Sequence, residues 1–136
     1  MTGSEKLNRV RVMRPEAERL SNKVEELENL ATKMSPILSA TPKGKGGSYK
    51  DDAWAAFIDY KSQCQAQLTD YLNACAELTE ELECIKSTKI KTAMLYRYVD
   101  CLKIEQIAER MHYDIRNVYI LLRKGKKIYC KVYGDD

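Results

Sequence analysis

From Asp51 to Lys86 the chain runs without a glycine or a proline. Along it Phe57, Lys61, Cys64, Leu68, Tyr71, Cys75, Leu78, Leu82 and Ile85 follow one another in alternating steps of four and three. That alternation is the heptad spacing, which sets one stripe of an α-helix against a partner. The stretch is expected to be a helix about 54 Å long, capped by Asp51 or Asp52. Lys61 is the one polar residue on the stripe. About two positions in seven are apolar, too few to keep a helix folded alone, so the fold must bring a second helix onto this one.

A partner is available upstream. Ala17, Leu20, Val24, Leu27, Ala31 and Met34 repeat the same alternation, with Glu16, Glu18, Arg19, Lys23, Glu25, Glu26 and Glu28 on the remaining faces. Pro15 suits a first helical turn and Ser35-Pro36 an end, so a helix is expected over 15–34. Residues 35–50 hold two of the three prolines and three of the six glycines, and read as a loop. Its GKGGS run lacks the spacing of a phosphate-cradling loop, although Lys43, Lys45 and Lys50 are suited to holding a nucleic acid. The first helix covers about half of the second, so the remainder must pack on the C-terminal region or on a second copy. A homo-oligomer, with a dimer favoured, is expected. Residues 1–14, with Lys6, Arg9, Arg11 and Arg14, read as a flexible or loosely helical basic arm.

The C-terminal third has a different rhythm. A short basic joint, 86–91, leads to Leu95, Tyr98, Val99 and Leu102 at helical spacing, then to Ile104, Ile107, Ala108 and Met111 on one face of a short helix. Small Ala108 permits two helices to cross closely over a short turn. The pattern breaks at His112 and Tyr113, where His112 reads as a turn residue tolerating an unusual backbone angle. Asp114 is placed to cap a third helix from Ile115 by accepting the backbone N–H of Asn117. Val118, Leu121 or Leu122, and Ile128 are its expected buried side. Beyond Gly125, which weakens helix continuity, Ile128, Tyr129, Val132 and Tyr133 extend the helix before it frays at Gly134.

Charge separates the same regions. The net charge of +3 divides into ten Lys/Arg against six Asp/Glu over 1–50, two against eight over 51–86, and eleven against six over 87–136. A basic end on an acidic middle is the distribution of a one-sided nucleic-acid contact. No apolar run is long enough for a membrane span and no signal core opens the chain, so a soluble, cytoplasmic protein is expected. The five cysteines form no Cys-x-x-Cys pair and are expected to be reduced, with Cys64 and Cys75 as small hydrophobes on the helix stripe. The single histidine has no second imidazole to work with. With no metal cluster, histidine pair or glycine-rich phosphate loop, neither an enzyme nor a cofactor is expected.

These regions make an all-α chain: a long coiled-coil-like helical hairpin over 15–86, followed by a C-terminal helix-turn-helix domain over 87–136. If the third helix enters the major groove, its first turns carry base readout. Arg116 and Asn117 are the readers, since arginine donates twice to guanine and asparagine pairs both ways with adenine. Tyr119 and Ile120 suit a thymine methyl. Arg123, Lys124, Lys126, Lys127 and Lys131, with Lys103 ahead of the preceding helix, suit phosphate.

The stretch RYVDCLKIEQIAERMHYDIRNVYILLRKG resembles the fourth region of bacterial sigma factors, and more closely the sigma-like segment of phage regulators of the RinA and ArpU type. Arg97-Tyr98, Ile107-Ala108 and Val118-Tyr119 match the pairs that mark successive helices in those proteins. Cys101 and His112 stand where that group has glycine, and Lys103 where it has a capping serine or threonine, which implies a less regular turn. The resemblance implies a sequence-specific transcriptional regulator of double-stranded DNA, a sigma-like activator of phage late genes, with host RNA polymerase as a candidate partner. A phage packaging protein of the small-terminase kind and a coiled-coil adaptor for another protein are the competing expectations.

Overall fold

The computed structural model describes residues 2–39 and 47–134, and among them the chain is all-α with no strand. The order is α1 (Gly3–Ser39), α2 (Gly47–Glu81), a 3-10 turn (Leu82–Cys84), α3 (Thr88–Met94), a π-turn (Leu95–Val99), α4 (Ile104–Met111) and α5 (Ile115–Tyr133). Two compact units result: one of residues 16–70, the other joining the residues up to Pro15 to those from Tyr71 onward. The DNA-reading region expected over 87–136 is therefore part of a larger unit that takes in the start of α1 and the end of α2.

In the unit of 16–70, Ala17, Leu20, Leu27 and Cys64 are buried, and Val24, Ala31, Phe57 and Leu68 are half-buried. These are the two heptad stripes. Trp54 adds a stacked ring on Phe57, centroids 5.2 Å apart. Lys61, the polar intruder, sends its ammonium to within 3.5 Å of Glu28 Oε1 and keeps its aliphatic stem half-covered. The backbone on both sides of the expected loop is helical. α1 passes through Ser35-Pro36 to Ser39, and α2 starts at Gly47, ahead of Asp51 and Asp52. A proline near a helix end forfeits one hydrogen bond without losing its helical φ. Lys43 and Lys45, together with the side chains of Met34, Lys50 and Asp51, lie outside the described residues.

The other unit corrects the reading of the N-terminus. Residues 1–14 were expected to form a basic arm, and Pro15 to open a helix. Instead α1 begins at Gly3, with the Thr2 hydroxyl accepting the Glu5 N–H at 3.1 Å, and runs on past Pro15. Leu7 and Val10 are fully buried, in one core with Leu78, Leu82, Ile85, Met94, Ile107, Val118 and Tyr129. The four cations serve the fold. Lys6 Nζ donates to the Tyr133 carbonyl at 2.8 Å and so caps the end of α5. Arg9 donates to Glu81 at 3.1 Å, Arg11 to Asn8 at 3.0 Å, and Arg14 to the Tyr71 hydroxyl at 3.2 Å.

α2 ends at Glu81, five residues short of the expected Lys86, because Ile85 turns into the core: it is 1% exposed, with an extended backbone at φ −86, ψ 113. After α3 the helix widens, with Asp100 N–H reaching the Leu95 carbonyl at 3.0 Å and Leu102 N–H the Tyr96 carbonyl at 2.9 Å. Leu102 thus leaves the helix it was expected to continue, and Arg97 fixes its carbonyl with a 3.0 Å hydrogen bond.

The turn between α4 and α5 is more regular than the missing glycine implied. His112 takes the left-handed conformation at φ 59, ψ 40. Tyr113 N–H bonds the Ala108 carbonyl at 3.0 Å and His112 N–H the Glu109 carbonyl at 3.3 Å, the paired bonds of a Schellman ending. Cys101 takes the same conformation, φ 58, ahead of α4. α5 then runs unbroken through Gly125, which is buried against α3.

Candidate functional site

Two parallel lines of side chains define α5. Val118, Leu122, Gly125 and Tyr129 are its buried residues, in steps of four, three and four. Arg116, Ile120, Arg123 and Lys127 repeat those steps two residues earlier. A shift of two residues is about 200° around a helix with 3.6 residues per turn, so this second line lies opposite the first. Arg116, Arg123 and Lys127 are exposed and Ile120 is half-buried. Asn117, Lys124 and Lys131 flank the line on one side, Tyr119 and Lys126 on the other, all exposed. The exposed face is therefore a geometric consequence of where the core lies.

Its chemistry is one-signed. α5 carries Arg116, Arg123, Lys124, Lys126, Lys127 and Lys131 and no aspartate or glutamate. Among the described residues none of these cations forms an ion pair with a carboxylate, unlike Arg9 with Glu81 or Lys91 with Glu83. Ile115, Arg116, Tyr119, Ile120 and Arg123 line a shallow groove of about 510 Å³ along the first half of the helix. Tyr119, 52% exposed, presents a large ring to solvent between two arginines.

The beginning of the helix is held firmly. Asp114 Oδ1 accepts the Asn117 N–H at 2.8 Å, as expected from the sequence. That bond occupies the Asn117 backbone and leaves its side-chain amide outside the turn. Lys103 stands exposed at the start of α4, where its N–H donates to Gln106 Oε1 at 2.9 Å, half of a capping box in a place where no serine or threonine is present. The expected readers and most of the expected phosphate contacts therefore share one helix face, with Lys103 on a separate element.

Two cations outside α5 lie beside aromatic rings, pairings that the sequence does not mark. Lys89 Nζ lies 5.9 Å from the centroid of the Tyr113 ring, and Arg110 Cζ lies 5.7 Å from that of Tyr96. Neither pair has a short-range sequence signature. Tyr129 was also placed only as part of an apolar extension, yet it is fully buried. Its hydroxyl donates to Glu81 Oε1 at 2.6 Å and accepts from Arg9 at 3.5 Å. Continuing the series Val118, Leu122, Gly125 by four residues would have found it, had the glycine been counted as a packing position.

Other chemistry is sparse. Among the described residues no group of three His, Cys, Asp or Glu side chains could hold a metal ion, and no helix is long and apolar enough to cross a membrane. All five cysteines are free, and burial pushes the thiols of Cys84 and Cys101 up, away from the nucleophilic thiolate. No family model, no curated protein and no solved structure matches this chain.

Proposed function

We propose that this chain is a sequence-specific DNA-binding transcriptional regulator, with α4 and α5 acting as a helix-turn-helix whose second helix enters the major groove. The observation that carries the reading is the exposed face of α5: six cations without an acid, and Arg116 and Asn117 uncovered in its first turn. In this docking mode side chains near the start of the second helix meet base edges. Arg116 reads guanine and Asn117 adenine, each worth about 1 to 3 kcal/mol of discrimination. Tyr119 and Ile120 supply apolar contact for a thymine methyl. Arg123, Lys124, Lys126, Lys127, Lys131 and Lys103 hold phosphates, which gives affinity and salt dependence without sequence information.

One such helix makes few base contacts. Useful specificity therefore calls for a second copy on a repeated half-site or for a DNA-bound partner. The resemblance of residues 97–125 to sigma-like phage regulators makes host RNA polymerase a candidate for that partner and late-gene activation the favoured role.

The test is selection of a preferred duplex from random sequence, followed by binding to that duplex and to an unrelated one across a salt series. Arg116→Ala is expected to relax base preference, and Lys127→Ala to weaken both duplexes alike. Equal effects from the two substitutions would remove the readout assignment, and absence of salt-dependent binding would remove the function.

A further inference from the structure

We propose that Lys89, on α3, contacts a DNA phosphate beside the first turn of α5 and is held for that contact by the ring of Tyr113. The proposal rests on the DNA-binding reading of α5 and adds to it a cation from a different helix. Lys89 Nζ lies 5.9 Å from the Tyr113 ring centroid, within the range at which a ring face attracts an ammonium. Tyr113 immediately precedes the Asp114 cap. The charge is thus fixed at the end of α5 that carries Arg116 and Asn117.

Three properties suit it to an anion. Lys89 is exposed, and among the described residues it pairs with no carboxylate. Lys91, two residues on, is by contrast taken up by Glu83 at 3.1 Å. A ring face holds a cation through its quadrupole without accepting any of its N–H groups in a conventional hydrogen bond, so all three donors remain for phosphate oxygens. A lysine already steadied by a ring also loses less rotamer freedom on binding than a free one.

Position adds the remaining argument. The phosphate-binding cations of α5 begin at Arg123 and lie in its later turns. Lys89 places a positive charge at the opposite end, where α5 has only its two readers.

The experiment uses the full chain, the selected duplex and an unrelated duplex, each titrated across a salt series. Lys89→Gln is expected to weaken both duplexes alike and to reduce the steepness of log affinity against log salt by about 0.9, one phosphate contact. Lys89→Arg should restore the slope, and Tyr113→Leu should shrink the loss caused by Lys89→Gln. A purely structural lysine would shift the unfolding midpoint and leave the slope unchanged. Wild-type affinity and slope in Lys89→Gln, with base preference still altered by Arg116→Ala, would overturn the Lys89 contact and leave the reading of α5 intact. A change of base preference in Lys89→Gln would also overturn it. No salt-dependent binding by the wild-type chain would remove both proposals.

Discussion

Gly125 lies so close to Met94 that a methyl group added to it would stand 2.5 Å from both Cγ and Sδ of that side chain. The contact brings α3 against the middle of α5, and a Cβ there would force the Met94 side chain to shift. Gly125→Ala adds helix propensity worth about 1 kcal/mol but overpacks a filled core, at about 1 to 3 kcal/mol. Since Met94 is fully buried and must shift within a packed core, net destabilisation is expected. Urea unfolding of Gly125→Ala, Met94→Ala and the double variant measures it. The alanine should do less harm where Met94 is already truncated, and a Gly125→Ala protein more stable than wild type would contradict the packing argument.

Tyr129 ties α5 to both long helices through Glu81 and Arg9, and its burial, together with the hydrogen bond to Glu81, pushes the phenol up to about 12. A group whose folded pKa is raised contributes stability that is complete below its ordinary value near 10 and is lost as pH rises through the folded value. The stability difference between wild type and Tyr129→Phe should therefore be constant through neutral pH and should narrow between about pH 10 and 12. Denaturant midpoints of both proteins along that series test the assignment. A difference that grows with pH would reverse its sign.

His112 and Cys101 hold left-handed backbone conformations that a side chain makes unfavourable by about 1 kcal/mol each. Glycine removes that strain but adds freedom to the unfolded chain. His112→Gly is expected to be neutral or mildly stabilising, whereas His112→Val, branched at Cβ, should cost more than 1 kcal/mol. Thermal midpoints of the pair decide it, and a valine protein as stable as the glycine one would show that the turn does not need this conformation.

The N-terminal residues should matter to α5 although more than a hundred residues separate them in the chain. Leu7→Ala, at a fully buried position, should cost about 2 to 5 kcal/mol and reduce hydrogen-exchange protection across α5. Lys6→Met should fray the last turn of α5, because it removes the donor to the Tyr133 carbonyl. Protection in α5 that survives both changes would restore the picture of a detached arm.

The local features of this protein could be read from its residues. Heptad stripes locate the buried sides of α1 and α2, Asp114 caps α5 through Asn117, and the spacing from Val118 finds Leu122 on the buried line of α5 but picks Ile128, which is half-buried, where Tyr129 is buried. Each of these depends on interactions within a few residues, where spacing alone decides which side chains are neighbours. The positions of Arg116, Asn117 and the later lysines followed from that periodicity and are exposed as expected. What the residues could not reveal depends on partners far away in the chain. The segment 3–14 looks like a basic arm because its apolar residues are few, yet Leu7 and Val10 find a core built by α2 and α5, and Lys6 and Arg9 find acceptors there. Gly125 looks like a helix breaker until α3 is laid across it. Ile85 looks like one more heptad position until burial turns it inward and ends α2. Periodicity ranks the faces of one helix, but which distant segment covers a face is decided by packing energy summed over the whole unit, and that sum exists only once the chain has folded.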